Sequence, residues 1–141
     1  MTQQRIDDVV DIRLRQAYEL LGSGKLNSAI GIGNQLIKEH PEDSRSWNLM
    51  CEIYRERGSL GNAIQFAARA ARLSPNIPNY IIQLGRCLAM AGRRPEAISI
   101  ANKVLEMEPL QAVLVDALGS IYSLADEPSL ALPQYNKAVS L

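Results

Sequence analysis

Few residues in this chain have the type and spacing that chemistry requires. His40 is the one histidine and stands beside Pro41 at the end of an apolar-periodic segment. A zinc site needs His or Cys partners at short, fixed spacings, and none accompanies it. It reads as a helix-terminal, solvent-facing histidine. Cys51 and Cys87 lack the C-x-x-C form of a redox pair. Two cysteines make no disulfide framework, so a reducing, cytoplasmic setting is expected. Asp7, Asp8 and Asp11 look like solvation of a helix end. The sequences G22-S-G24 and G31-I-G33 resemble fragments of glycine-rich loops, but no G-x-G-x-x-G and no lysine-serine ending follows. The residues therefore name no catalytic group, no metal ligand and no cofactor site, and enzyme activity is not expected of this chain.

Charge excludes further classes. Fifteen Lys and Arg balance fifteen Asp and Glu, which gives no push toward nucleic acid or anionic membrane. Arg93-Arg94 is the densest basic pair and reads as solvated surface. No apolar run approaches the roughly 20 residues of a membrane span. The start, MTQQRIDDVVDIRLRQ, has early acids and no long apolar core, so it is not a signal peptide.

What remains is the scaffold, and it is periodic. A shift of 34 residues superposes Ala29, Ala63, Ala97 and Ala131, followed by Ile30, Ile64, Ile98 and Leu132. Pro41, Pro75 and Pro109 form another column. So do Gly24, Gly58 and Gly92, although Asp126 breaks it in the last copy. Leu20, Tyr54, Leu88 and Tyr122 repeat at the same period, as do the small residues Ala17, Cys51, Gly85 and Gly119. Such a period marks stacked supersecondary units. The windows are 10–43, 44–77, 78–111 and 112–141, each with two apolar-periodic segments of about a dozen residues. In the second window Trp47, Met50, Cys51 and Tyr54 lie at i, i+3, i+4 and i+7, one helical face. Gly58 stops that helix and Pro75 closes the next. In the third window Ile81, Leu84, Gly85 and Leu88 make the inward stripe, Gly92 ends the helix, and Pro95-Glu96 open its partner. Ile6, Val9, Val10 and Ile12 precede the first window and either extend its helix or form part of a cap.

The run W47-x-x-M50-C51-x-x-Y54, then G58, A63, A70 and P75, resembles a tetratricopeptide repeat. L84-G85-x-x-L88, G92, A97 and P109 resembles it too. The likeness covers residues 10–141. Cys51 stands where that family prefers glycine. Gly33, Ala67 and Ala101 stand where it often has a bulky apolar residue, which Tyr135 restores in the last copy. The resemblance implies an all-α, right-handed α-solenoid of four stacked helical hairpins in one domain, 1–141. Small residues would let the paired helices approach closely. Arg13 and Gln16, in the columns of Trp47 and Met50, suit an outward-facing terminal repeat.

Such a stack acts by binding. By resemblance the first helix of each pair lines a concave face, and the positions flanking the buried stripe are Leu14 and Tyr18, Asn48, Glu52 and Arg55, Ile82, Gln83 and Arg86, and Asp116 and Ser120. This mixed surface suits an extended peptide or a short helix and does not suit phosphate. The basic residues with which some family members clamp a C-terminal carboxylate are missing from the matching places, Leu14, Tyr18, Leu49, Asn79 and Gln83. The expected function is a protein-interaction scaffold with a protein or peptide partner, without nucleic acid or membrane. The alternative is a non-catalytic, substrate- or subunit-positioning module ahead of a catalytic domain, as in sulfotransferases and glycosyltransferases that carry such repeats. The last copy stops four residues short of a full period, which suggests a piece of a longer protein. A last helix over about Ser129–Val139 would leave Leu130 and Val139 open, and a weak homodimer through the C-terminal repeat is expected from that apolar surface.

Overall fold

The first helix forms early in the chain because Thr2 caps it. Its hydroxyl oxygen accepts from the Arg5 backbone N–H at 3.3 Å, and α1 then runs Gln3–Gly22. The residues ahead of the first window thus extend that helix. The computed structural model describes residues 2–107 and 112–124, and among these it has seven helices and no strand. After α1 come α2 (Leu26–Glu39), α3 (Ser44–Glu56), α4 (Leu60–Leu73), α5 (Pro78–Met90), α6 (Arg94–Leu105) and α7 (Ala112–Leu124). The second helix expected of the fourth pair lies outside the described residues, and so do the residues on which the C-terminal pairing rests.

The glycine column ends three helices in one way. Gly24, Gly58 and Gly92 take φ of +77°, +84° and +78°, a left-handed conformation that a Cβ would strain. Each glycine donates its N–H back three residues, to Leu21, Arg55 and Ala89. The following N–H groups, of Lys25, Ser59 and Arg93, reach the carbonyls of Leu20, Tyr54 and Leu88 at 2.8, 2.9 and 2.9 Å. This paired closure satisfies carbonyls that the helix end would otherwise leave open. The Leu20/Tyr54/Leu88 column therefore supplies a backbone acceptor as well as an apolar side chain.

Two compact units divide the chain, Met1–Leu73 and Ser74–Leu141. In the first, α1 pairs with α2 and α3 with α4, and α3 also packs on α2 and α1. Its core joins Val10, Leu14, Ala17, Ala29, Leu36, Leu49, Met50 and Ile53, with Ile6, Leu20, Ile30, Tyr54 and Phe66 around it. Trp47 and Tyr54 are only half-buried, whereas Leu49 and Ile53 are fully enclosed. A helix with neighbours on two sides buries a wider arc than one periodic stripe shows. Phe66 lies between Trp47 and Tyr54, with ring centroids 6.0 and 5.3 Å away, and Arg69 stands over the Trp47 ring at 5.5 Å. The indole N–H donates to the Pro41 carbonyl at 2.8 Å, which ties α3 to the turn before it.

The small columns are contact points. Ala17, Cys51, Ala29, Ala63 and Ala97 are fully enclosed. Ala67 is equally enclosed, so the bulk tolerated at that column by resemblance has no room here. Gly33 allows a close approach: a Cβ on it would run into Met50 Sδ. In the second unit α5 packs on α6 and α7, and α6 on α7. A Cβ on Gly85 would meet Ile121 Cδ1 at 3.0 Å and Ile100 Cγ2 at 3.3 Å. Ile82, Cys87, Ala101, Val104, Leu118 and Ile121 are buried in that unit, and the Tyr122 hydroxyl donates to Asn102 Oδ1.

Candidate binding face

On α3, Asn48, Glu52 and Arg55 stand at i, i+4 and i+7. One helical face therefore carries all three, over about 10 Å of axis. Each is half-buried. Tyr18, in the same column as Glu52, projects from the neighbouring α1 and is 39% exposed. Asn48 is the unusual member. Its Oδ1 is shielded and accepts no hydrogen bond from the described residues. Its column holds apolar Leu14 and Ile82 and acidic Asp116, so the repeat does not require an amide there.

Two sequence-derived positions move to the interior. Leu14 is 8% exposed and belongs to the core of the first unit, and Ile82 is 4% exposed. Their column faces inward more than the flanking-stripe reading allows, because a first helix packs against its neighbours over a wide arc. In the second unit Gln83 and Arg86 on α5 and Ser120 on α7 are half-buried. Asp116 falls in α7, and its side chain lies outside the described residues.

Beside this face stands a cluster that sequence reasoning left as solvated acids. The Arg45 guanidinium donates to Asp43 at 2.7 Å, pairs closely with Asp11, and lies 3.9 Å from Asp7. Asp43 also caps α3, accepting the Arg45 backbone N–H at 3.0 Å. Burial works against the Asp43 carboxylate. The hydrogen bonds and charge of Arg45 outweigh it and hold the pKa below the ordinary 3.8. Asp11 and Arg45 stand 34 residues apart, in one column. That opposite-charge pair at the repeat period was the available signal. A further ion pair between helices of this unit joins Arg13 to Glu39 at 3.0 Å, and the Gln35 side-chain amide also donates to that carboxylate. His40 follows α2 directly as its C-cap residue, at the helix end expected for it.

Among the described residues no group of three His, Cys, Asp or Glu is placed to hold a metal ion, and no helix is long and apolar enough to cross a membrane. Cys51 and Cys87 are buried thiols.

No family model matches the chain. Among curated proteins it is similar to cellulose synthase operon protein C of Pseudomonas fluorescens, 26% identical over 142 residues, which covers 99% of this chain and 11% of that protein. It is also similar to human tetratricopeptide repeat protein 13, 24% identical over 146 residues, or 96% of this chain and 16% of that protein. The chain spans from 8% to 16% of the length of the curated relatives it matches. Among solved structures, a thermophilic tetratricopeptide-repeat protein of Thermus thermophilus superposes with a TM-score of 0.76 at 24% identity, over 91% of this chain and 71% of that one. The Yersinia enterocolitica type III secretion chaperone SycD, solved with a peptide of the translocator YopD, superposes with a TM-score of 0.75 at 20% identity, over 87% of this chain and 94% of that one. These likenesses give the fold: the chain is built of tetratricopeptide-type helical hairpins.

Proposed function

We propose that the chain is a protein-interaction scaffold and that the first unit binds an extended peptide or partner helix across Tyr18, Asn48, Glu52 and Arg55. The observation that carries this is the shielded Asn48 carbonyl, which lacks a donor on a face that otherwise offers reachable polar groups. A buried acceptor left unpaired costs about 1–3 kcal/mol. With the amide turned outward, a main-chain N–H of a bound peptide would satisfy it. Glu52 and Arg55 would then select charges on the ligand, and the Tyr18 ring would cover an apolar side chain. Gln83, Arg86 and Ser120 offer a second polar surface on the other unit. The similarity to a peptide-bound chaperone supports a peptide as the ligand class. The balanced charge supports a protein rather than a nucleic-acid partner, and two cysteines held as buried thiols support a cytoplasmic setting. We place no catalysis on this chain.

Selection from a random peptide library, followed by calorimetric titration of the winners, tests the proposal. Winners should lose at least about tenfold in affinity with Asn48→Ala and with Arg55→Glu, as polar groups at a ligand contact do. Winners indifferent to both substitutions, or a library that yields none, would dismiss this face as the site.

A further inference from the structure

At 100° per residue, Arg5, Asp8, Val9, Ile12, Arg15, Gln16 and Glu19 fall within one third of the circumference of α1, with Ile12 at the centre of the arc. All seven are exposed, Ile12 by 52% and Val9 by 41%, the two apolar members of the stripe. The fold already uses this face elsewhere. Ile12, Arg15, Gln16 and Glu19 occupy the columns of Ser46, Leu49, Met50 and Ile53, all fully buried on α3. A helical face of that shape accepts a neighbouring helix, and on α1 none of the described residues covers it. Arg5, Arg15 and Glu19 take part in no ion pair among the described residues.

We infer that this stripe of α1 is a self-association surface, on which a second copy of the chain lays its own α1 antiparallel. The charge order selects that occupant. When Ile12 meets Ile12 of a second copy about a two-fold axis, Arg5 and Glu19 stand equally far on either side, each seven residues from the centre. The axis then sets each Arg5 against a Glu19, each Asp8 against a Gln16 and the stem of each Arg15 against a Val9. A parallel pairing would oppose like charges, Arg5 to Arg5 and Glu19 to Glu19. A two-fold contact repeats every complementary pair twice. The stripe spans about 21 Å of helix, too little for the roughly 1,200 Å² that a stable interface buries. The association is therefore weak, and salt weakens it further. It differs from a pairing through the C-terminal repeat, and it leaves the Asn48 face unoccupied.

Sedimentation of the full chain from low micromolar to millimolar concentration tests it, with circular dichroism to verify that each variant folds. The wild type should associate reversibly. Ile12→Glu and Arg5→Glu should each weaken association by at least about tenfold, since each sets like charges or a desolvated carboxylate at the contact. Arg5→Glu combined with Glu19→Arg restores opposite charges across the axis and should recover most of the loss. A wild type that stays monomeric throughout would overturn the proposal. So would association untouched by Ile12→Glu, which would place the contact elsewhere, or a double variant no better than Arg5→Glu alone.

Discussion

Arg45 holds together carboxylates that would otherwise repel one another. Its guanidinium keeps Asp43 ionised below the ordinary 3.8, so Asp43 stabilises the fold above that pH and the contribution disappears as pH falls through its depressed value. Arg45→Gln should cost about 1 kcal/mol at neutral pH, a modest figure because the side chain is 35% exposed and screened. The gap between variant and wild type should narrow as pH drops below 3.8, and urea titrations at several pH values would show it. A gap that stays constant with pH would argue against ionic pairing. Two glycines of α2 behave oppositely. Gly31 has nothing within 4 Å of an added Cβ, so Gly31→Ala should stabilise by about 0.5–1 kcal/mol through helix propensity. On Gly33 the same methyl would collide with Met50 Sδ, and Gly33→Ala should instead destabilise by about 1–3 kcal/mol by overpacking. Thermal midpoints that shift in opposite directions would verify the pair.

Three helices, α1, α3 and α5, end where glycine allows it. Gly58→Ala should cost about 1–2 kcal/mol, the penalty of a left-handed alanine, without moving the α3 boundary far. Unfolding in urea measures this, and an unchanged midpoint would count against the paired closure. Elements of this kind were legible in the sequence because turn residues and small contact residues repeat at fixed spacing: Gly24, Gly58 and Gly92, and Ala29, Ala63 and Ala97. The stripes were legible in part. Met50, Cys51, Gly85 and Leu88 lie inward as their periodicity indicates, while Leu49, Ile53 and Ile82 are buried by neighbours that a single-helix pattern does not encode. The proposed binding face was legible only as a set of columns, since half-burial and the unpaired Asn48 carbonyl depend on side-chain packing across helices. Ala67 teaches the same lesson. Its column is bulky in the family pattern, yet full enclosure predicts that Ala67→Leu costs about 1–3 kcal/mol, as Ala63→Leu should.

At the scale of the whole molecule, stability follows neighbours. Repeats that touch only adjacent repeats open locally rather than all at once. Ala63→Leu should therefore raise amide exchange throughout α1–α4 more than in α5–α7, which belong to the other compact unit. Equal acceleration in both would indicate a single cooperative block. The position of the lone tryptophan makes this distinction visible to light. Trp47 sits in the first unit, half-buried, with its N–H held by Pro41 and a guanidinium above its ring. Its emission should lie to the blue of free indole and move red when α3 and α4 part. No indole exists in residues 74–141. Excitation at the red edge of the absorbance band then watches one unit while far-ultraviolet dichroism watches both. The chain carries a dye on one half only, and a mismatch between the two optical melting curves would time the halves separately without a label.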